Sequence, residues 1–381
     1  MKKKNFFATA TLIGVMVGAG IFGLPYTIAK SGVIPGLFYF LFLGTAVMFL
    51  YLFVGEIVLR TKDNCRLVGH SRRYLGKGGR QLIVISTFVG LGGSLLVYTI
   101  IGSEFLKIIS TTIFPTTVGI PQVYFGLVFV FGLSLFIFKG VKMIALIEAL
   151  TNSFFFLIIF FVFCFGLSKI NLQNFTLINT ENLFLPFGII LFTLSGWSLV
   201  PEIGGILKTS DERKKLKKVI IVSVTSVIVI SLLFVFMVVG VSGDNVSPDA
   251  ISGLNSFFGP QILFFLVLAA LITIADSFLI LGLSFRNTLI CDYEISPKIS
   301  SLIACGVPLL LFLAGFRNFI GTVGFIGTIV GAIEGVLVVL IYKKAKKLFD
   351  REPEYSLQVP SLVFYVLIFT FVLGAFFQLF F

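Results

Sequence analysis

The sequence predicts an all-α integral membrane protein of eleven transmembrane helices, built as a five-plus-five inverted repeat with broken helices 1 and 6 and one extra C-terminal helix. Three observations carry this reading. Of 381 residues, 57% are hydrophobic and 12% charged, with a mean hydropathy of +1.09, which is more apolar surface than a soluble core needs. The apolar residues fall into eleven runs, and the segments between them alternate sharply in lysine and arginine. Finally, the first and sixth runs are interrupted by glycine and proline at corresponding depths.

The runs cover residues 6–29, 35–59, 82–109, 123–138, 143–167, 183–207, 219–241, 260–285, 300–314, 319–342 and 358–381. The fourth and ninth are short against the ~20 residues of a typical span. Met1 and the lysines Lys2 to Lys4 imitate the start of a secretory signal. The apolar run behind them continues to Ala29, beyond an h-region of ~7–15 residues, so it is expected to remain as the first span.

With the N-terminus in the cytoplasm, 25 of the 29 lysines and arginines fall in cytoplasmic segments, leaving only Lys30, Lys107, Lys169 and Arg317 outside. That bias predicts the N-terminus inside and the C-terminus outside, in a plasma or bacterial inner membrane. The same distribution argues against nucleic acid as a partner despite a net charge of +12, because the basic residues sit in short loops and not on one face. Cys65, Cys164, Cys291 and Cys305 are far apart, which excludes a disulfide framework or a zinc site. The single histidine, His70, falls in the basic 60–80 loop and is read as solvated.

The first run holds Gly14, Gly18, Gly20, Gly23 and Pro25 within thirteen residues, and such residues weaken or break a helix. In the sixth run Pro201 follows Gly196 by five positions, as Pro25 follows Gly20. Five is odd, so the second set of spans crosses the membrane in the opposite sense, giving an inverted repeat of 6–167 and 183–342 with 358–381 outside it. Opened backbone is tolerated in a bilayer only where protein covers it or where it lines a cavity, so the paired breaks predict a binding site. The alternative is that the glycines form a close helix-packing face, which leaves the proline and the matching sixth-run break unexplained.

Gly14 to Tyr26 (GVMVGAGIFGLPY), FTLSGW followed by VPE in the sixth run, and DSFLILGL in the eighth resemble the amino acid/auxin permease family, including its bacterial aromatic amino acid branch. That resemblance implies the LeuT-type fold of the amino acid, polyamine and organocation transporters, no enzymatic activity, no cofactor beyond a coupling H+ or Na+, and a monomeric transport unit carrying an amino acid. An amino acid brings a carboxylate and an ammonium into the bilayer. Backbone N–H groups at Gly18, Ala19, Gly20 and Ile21 would face the carboxylate, where a helix N-terminus favours an anion. Carbonyls freed around Phe192 to Ser195 and Gly196 would face the ammonium. By resemblance Phe192 closes over the substrate, and Thr193 and Ser195 supply hydroxyls. Trp197, the only tryptophan, is a pocket wall or a core residue, and Tyr98 reaches the substrate carboxylate or is structural.

Asp276 lies deep in the eighth run, where a carboxylate costs ~2.5–3.5 kcal/mol on insertion scales. In related sodium-coupled transporters a hydroxyl residue stands there. Mapped here, the ion-coupling set is Asp276 and Ser277 with carbonyls of Gly14, Val17 and Thr273. The aspartate departs from that pattern and makes proton coupling the leading expectation, ahead of sodium. Glu334, between Gly331 and Gly335, is the second proton candidate. Glu56, Glu104, Glu148 and Glu202 are read as gate or packing residues. Phe192 and Trp197, with no evident acidic partner for a cationic side chain, point to a neutral, large apolar or aromatic amino acid. A polytopic acyl or glycosyl transferase needs acid/base or metal groups that this chain does not assemble, and a channel does not need paired broken helices.

Overall fold

The computed structural model describes residues 2–62, 66–140, 160, 164–207 and 209–380, and it is helical, with no strand among them. The first predicted span is two helices, α1 (Lys2–Met16) and α2 (Gly20–Ser31), bent by 51° across the break. Then follow α3 (Val33–Arg60), α4 (Leu67–Ile113) and α5 (Gln122–Lys139). The fifth predicted span, 143–167, falls almost wholly outside the described residues, and Glu148 with it. The sixth is again two pieces, α6 (Leu185–Leu194) and α7 (Val200–Ile206), joined through a 3-10 turn at Trp197–Leu199. A short α8 (Ser210–Arg213) precedes α9 (Leu216–Ser242), α10 (Asn255–Tyr293), α11 (Pro297–Leu313), α12 (Phe319–Ala345) and α13 (Ser361–Phe380). Among the described residues eight helical segments are long and apolar enough to cross a membrane, the bent α1–α2 pair makes a ninth, and α11 is a shorter apolar helix.

Both breaks occur at glycine. Pro25 lies inside α2, well past its start, and Pro201 sits in the first turn of α7. The first turn is where a missing N–H costs least. The prolines therefore mark the second halves of the two spans, and the openings precede them.

The expected 60–80 loop is largely helical, because α4 begins at Leu67 and bends at Gly76, where φ is 73°. Leu67, His70, Ser71 and Tyr74 recur at helical spacing and face inward, so His70 is 1% exposed and not solvated as its basic surroundings suggested. A basic segment with an apolar stripe is an amphipathic helix, and counting charges alone misses it.

At the core, α4 packs against α5, α10, α11 and α12, while α12 packs against α3, α6 and α13. α6 crosses α12 in backbone-to-backbone proximity. A Cβ on Gly188 would overlap the Gly324 carbonyl, and one on Gly327 would overlap the Gly188 carbonyl. Backbone cannot swing aside as a side chain does, so Gly327→Ala is expected to lower stability by about 1–3 kcal/mol, read as a lower unfolding temperature of the purified protein. Gly335 meets the Phe371 ring of α13, so α12 uses glycine for close packing at both Gly327 and Gly335.

Glu56 of α3 is a packing residue. Its carboxylate accepts from Arg60 (Nε 2.9 Å, Nη2 2.7 Å), the Tyr342 hydroxyl (2.9 Å), Ser356 (3.0 Å) and the Leu357 N–H (2.8 Å). These bonds tie the 346–360 connection to the ends of α3 and α12.

Candidate functional site

α1 ends because its next residues turn away from helical pairing. The Gly18 N–H bonds back to the Met16 carbonyl at 3.0 Å, and Ala19 donates its N–H to the Tyr98 hydroxyl at 3.2 Å. Helical pairing then restarts with Ile21 on Gly18 and Phe22 on Ala19. A Cβ on Gly18 would overlap the Tyr98 hydroxyl, and one on Gly20 would lie 2.6 Å from Thr193 Oγ1 and 2.8 Å from Phe192 Cδ1. Close approach of α4 and α6 is thus what requires glycine at these two positions.

The second break opens after Leu194. Ser195 bonds its N–H (3.1 Å) and its hydroxyl (2.7 Å) to the Phe192 carbonyl, and the Tyr51 hydroxyl takes the Leu194 carbonyl at 3.2 Å. Gly196 then adopts φ 144°, a conformation that L side chains rarely take.

The two breaks meet on one cavity of about 160 Å³, room for on the order of ten waters or a small solute. Gly18, Gly20, Tyr98, Phe192, Ser195, Gly196 and Trp197 all line it, so most of the expected substrate set is brought together. Ala19 and Ile21 are fully buried beside it, and their side chains do not line the cavity. Thr193 is corrected: its hydroxyl donates to Ile189 at 2.8 Å and packs against Gly20, away from the cavity wall. The open carbonyls expected at the second break are also fewer, since Phe192 and Leu194 already have partners.

Tyr98 stands beside two members of the ion-coupling set, Asp276 and Ser277. Its hydroxyl accepts the Ala19 N–H. Asp276 is 8% exposed. Thr273 is buried, with its hydroxyl on the Ala269 carbonyl. Val17 is buried at the end of α1, its N–H on Ile13, and Gly14 lies one turn earlier in that helix. Among the described residues no group of three or more histidine, cysteine, aspartate or glutamate side chains is placed to hold a metal ion.

Glu334 lines the cavity. It accepts from the Trp197 indole Nε1 at 3.0 Å and from Ser86 at 3.4 Å. Trp197 is 1% exposed and meets Tyr51 edge to face at 6.2 Å, so it is both core and pocket wall. The cavity runs from the breaks to one end of the bundle, where Arg66 pairs with Glu202 at 3.3 Å and Thr288 stands beside Arg66. At the other end a separate vestibule is lined by Glu104, Asp249 and Arg317. Ser86, Tyr51 and Arg66 were not singled out from the sequence. A serine or tyrosine in an apolar run and an arginine in a basic one carry no distinguishing signal.

Two interrupted helices whose breaks share a cavity, inside an apolar helical bundle, define a membrane transporter. The model of the family described as "transmembrane amino acid transporter protein" matches residues 1–377, and the chain belongs to that family. It is a transporter and not an enzyme, and an integral multi-pass membrane protein. The fold is similar to MhsT in complex with L-phenylalanine, with a TM-score of 0.71 and 13% identity over 98% of this chain and 98% of that one. It is also similar to Mhp1, a nucleobase-cation-symport-1 family transporter in a closed conformation with bromovinylhydantoin bound, with a TM-score of 0.66 and 14% identity over 98% of this chain and 91% of that one. No curated protein sequence matches the chain.

Proposed function

We propose that the protein is a secondary active transporter that imports a neutral, large apolar or aromatic amino acid by alternating access, coupled to a cation, with protons ahead of sodium. The observation that carries this reading is the convergence of both helix breaks on one cavity, with a separate vestibule at the other end of the bundle. Rocking one group of helices against the other would expose the site to each end in turn. In this reading the eleven spans form a five-plus-five inverted repeat plus one helix. The N-terminus and the Arg66–Glu202 mouth lie on the cytoplasmic side of an inner membrane, the C-terminus lies outside, and a single chain is the transport unit.

The Gly20 N–H at the first break serves the substrate carboxylate, those of Gly18, Ala19 and Ile21 being bonded to Met16, Tyr98 and Gly18, and Phe192 and Trp197 flank an apolar side chain. The coupling cation acts where Asp276 and Ser277 meet the Tyr98 hydroxyl. Support for a neutral substrate comes from the cavity wall: Glu334 is engaged by Trp197 and Ser86, and Glu202 by Arg66.

Counterflow tests the carrier reading. Proteoliposomes preloaded with unlabelled amino acid are expected to take up the labelled form faster than empty ones, which neither an enzyme nor a simple pore does. Screening the twenty amino acids by thermal shift then tests the substrate class. Greatest stabilisation is expected from phenylalanine, tyrosine, tryptophan or leucine, and preferential stabilisation by lysine or arginine would refute the neutral assignment.

A further inference from the structure

Glu334 and Trp197 join two elements that are remote in sequence. Glu334 belongs to α12, which packs along α4 and α6, and Trp197 opens the 3-10 turn that bridges the second break. The carboxylate lines the cavity, and its two oxygens receive an indole N–H and a serine hydroxyl. Among the described residues no ion pair reaches it.

The charged and titratable groups of the surrounding elements are engaged elsewhere. On α3, Glu56 pairs with Arg60, and the Tyr51 hydroxyl donates to Leu194. On α4, Tyr98 bonds Ala19 and faces Ser277 and Asp276. On α2, Lys30 lies over the Tyr26 ring, and Lys343 lies over Tyr365 of α13. At the cavity mouth Arg66 and Glu202 hold each other.

The nature of the two partners selects the ligand. Sodium is bound by oxygens turned toward it as acceptors. Here the indole can only donate, so the positive end of its N–H occupies the position a metal ion would need. A carboxylate held by neutral donors on the wall of a cavity with room for water suits a proton. Bound as the ion, it makes charge-assisted hydrogen bonds about twice as strong as neutral ones.

We propose that Glu334 is a proton-binding group that sets the position of the Trp197–Leu199 turn, so that the second helix break itself reads whether the cavity has delivered a proton. A proton from cavity water binds a carboxylate oxygen. No covalent bond other than the new O–H forms or breaks, and the charge-assisted bond to Trp197 becomes a neutral, weaker one. The turn is then freer to leave α12, which biases one arrangement of the broken span over the other. This rests on the transporter reading and adds, beside the coupling site at Asp276, a second proton-binding group on the wall of the cavity.

Trp197 is the only tryptophan, so the intrinsic emission of the purified full-length chain reports on this contact directly, without substrate. Titrating pH in detergent is expected to give a single step in emission. Glu334→Gln, which keeps the shape and an acceptor, is expected to abolish the step, whereas Glu202→Gln, at the other carboxylate of the cavity, is expected to keep it. Ser86→Ala removes the hydroxyl donor and is expected to shift the midpoint; it is the variant to read if Glu334→Gln does not fold. In proteoliposomes, Trp197→Phe is expected to lose the acceleration of uptake by an imposed pH gradient. A flat wild-type titration, a step that survives Glu334→Gln, an unmoved midpoint in Ser86→Ala, or gradient-driven uptake intact in Trp197→Phe would each overturn the assignment. The fluorescence result does not depend on any amino acid being carried, so its failure is distinguishable from a failed counterflow experiment.

Discussion

Asp276→Asn is expected to lower gradient-driven accumulation of substrate about tenfold or more, the equivalent of about 1.4 kcal/mol or more of lost coupling. The carboxylate is 8% exposed on α10 and stands next to Ser277 and the Tyr98 hydroxyl. That hydroxyl also accepts the Ala19 N–H at the first break. A change of charge at Asp276 therefore reaches the unwound backbone through one side chain. Asparagine keeps the size and the hydrogen bonding and removes the exchangeable charge, so it separates coupling from packing. Uptake in proteoliposomes under an imposed pH gradient, and separately under a sodium gradient, checks this. Full accumulation by the variant would sink the role given to Asp276, and the gradient to which wild type responds identifies the ion.

Glu56→Ala is expected to destabilise the protein by about 3–5 kcal/mol, the usual cost of leaving one member of a buried ion pair behind. Glu56 is fully buried and Arg60 is 7% exposed. Removing the carboxylate strands the guanidinium and frees Tyr342, Ser356 and the Leu357 N–H at once. Glu56→Gln keeps an acceptor and is expected to lose less. Thermal unfolding of the purified variants measures the difference, and an Ala variant as stable as wild type would show that the 346–360 connection is held by other contacts.

The two carboxylates illustrate why sequence reading stops where it does. Both stood out as charges at membrane depth, because burying a charge in a bilayer is costly wherever the fold places it. Which one anchors a loop and which one stands beside the first break depends on Arg60, Tyr342 and Ser356 in one case and on Tyr98 and Ser277 in the other. These partners are up to 300 positions distant in the chain. Thr193 and Ser195 make the same point over two residues. Both lie at the second break, yet only Ser195 lines the cavity, because the close packing of Gly20 on α6 covers Thr193.

The helical character, the ends of most spans and the two interruptions were determined by the sequence alone. Each follows from local physics: apolar run length, backbone conformation at glycine, and the need to pair every exposed N–H and carbonyl in lipid. His70 and the 67–75 helix were lost to the same local reading, since charge concealed a stripe that only packing makes inward. That the breaks share one cavity, that Tyr98 links the first to Asp276, and that Trp197 links the second to Glu334 were decided by the tertiary structure. Those links are contacts between distant helices, and no periodicity or composition along one run encodes which helix lies across from it.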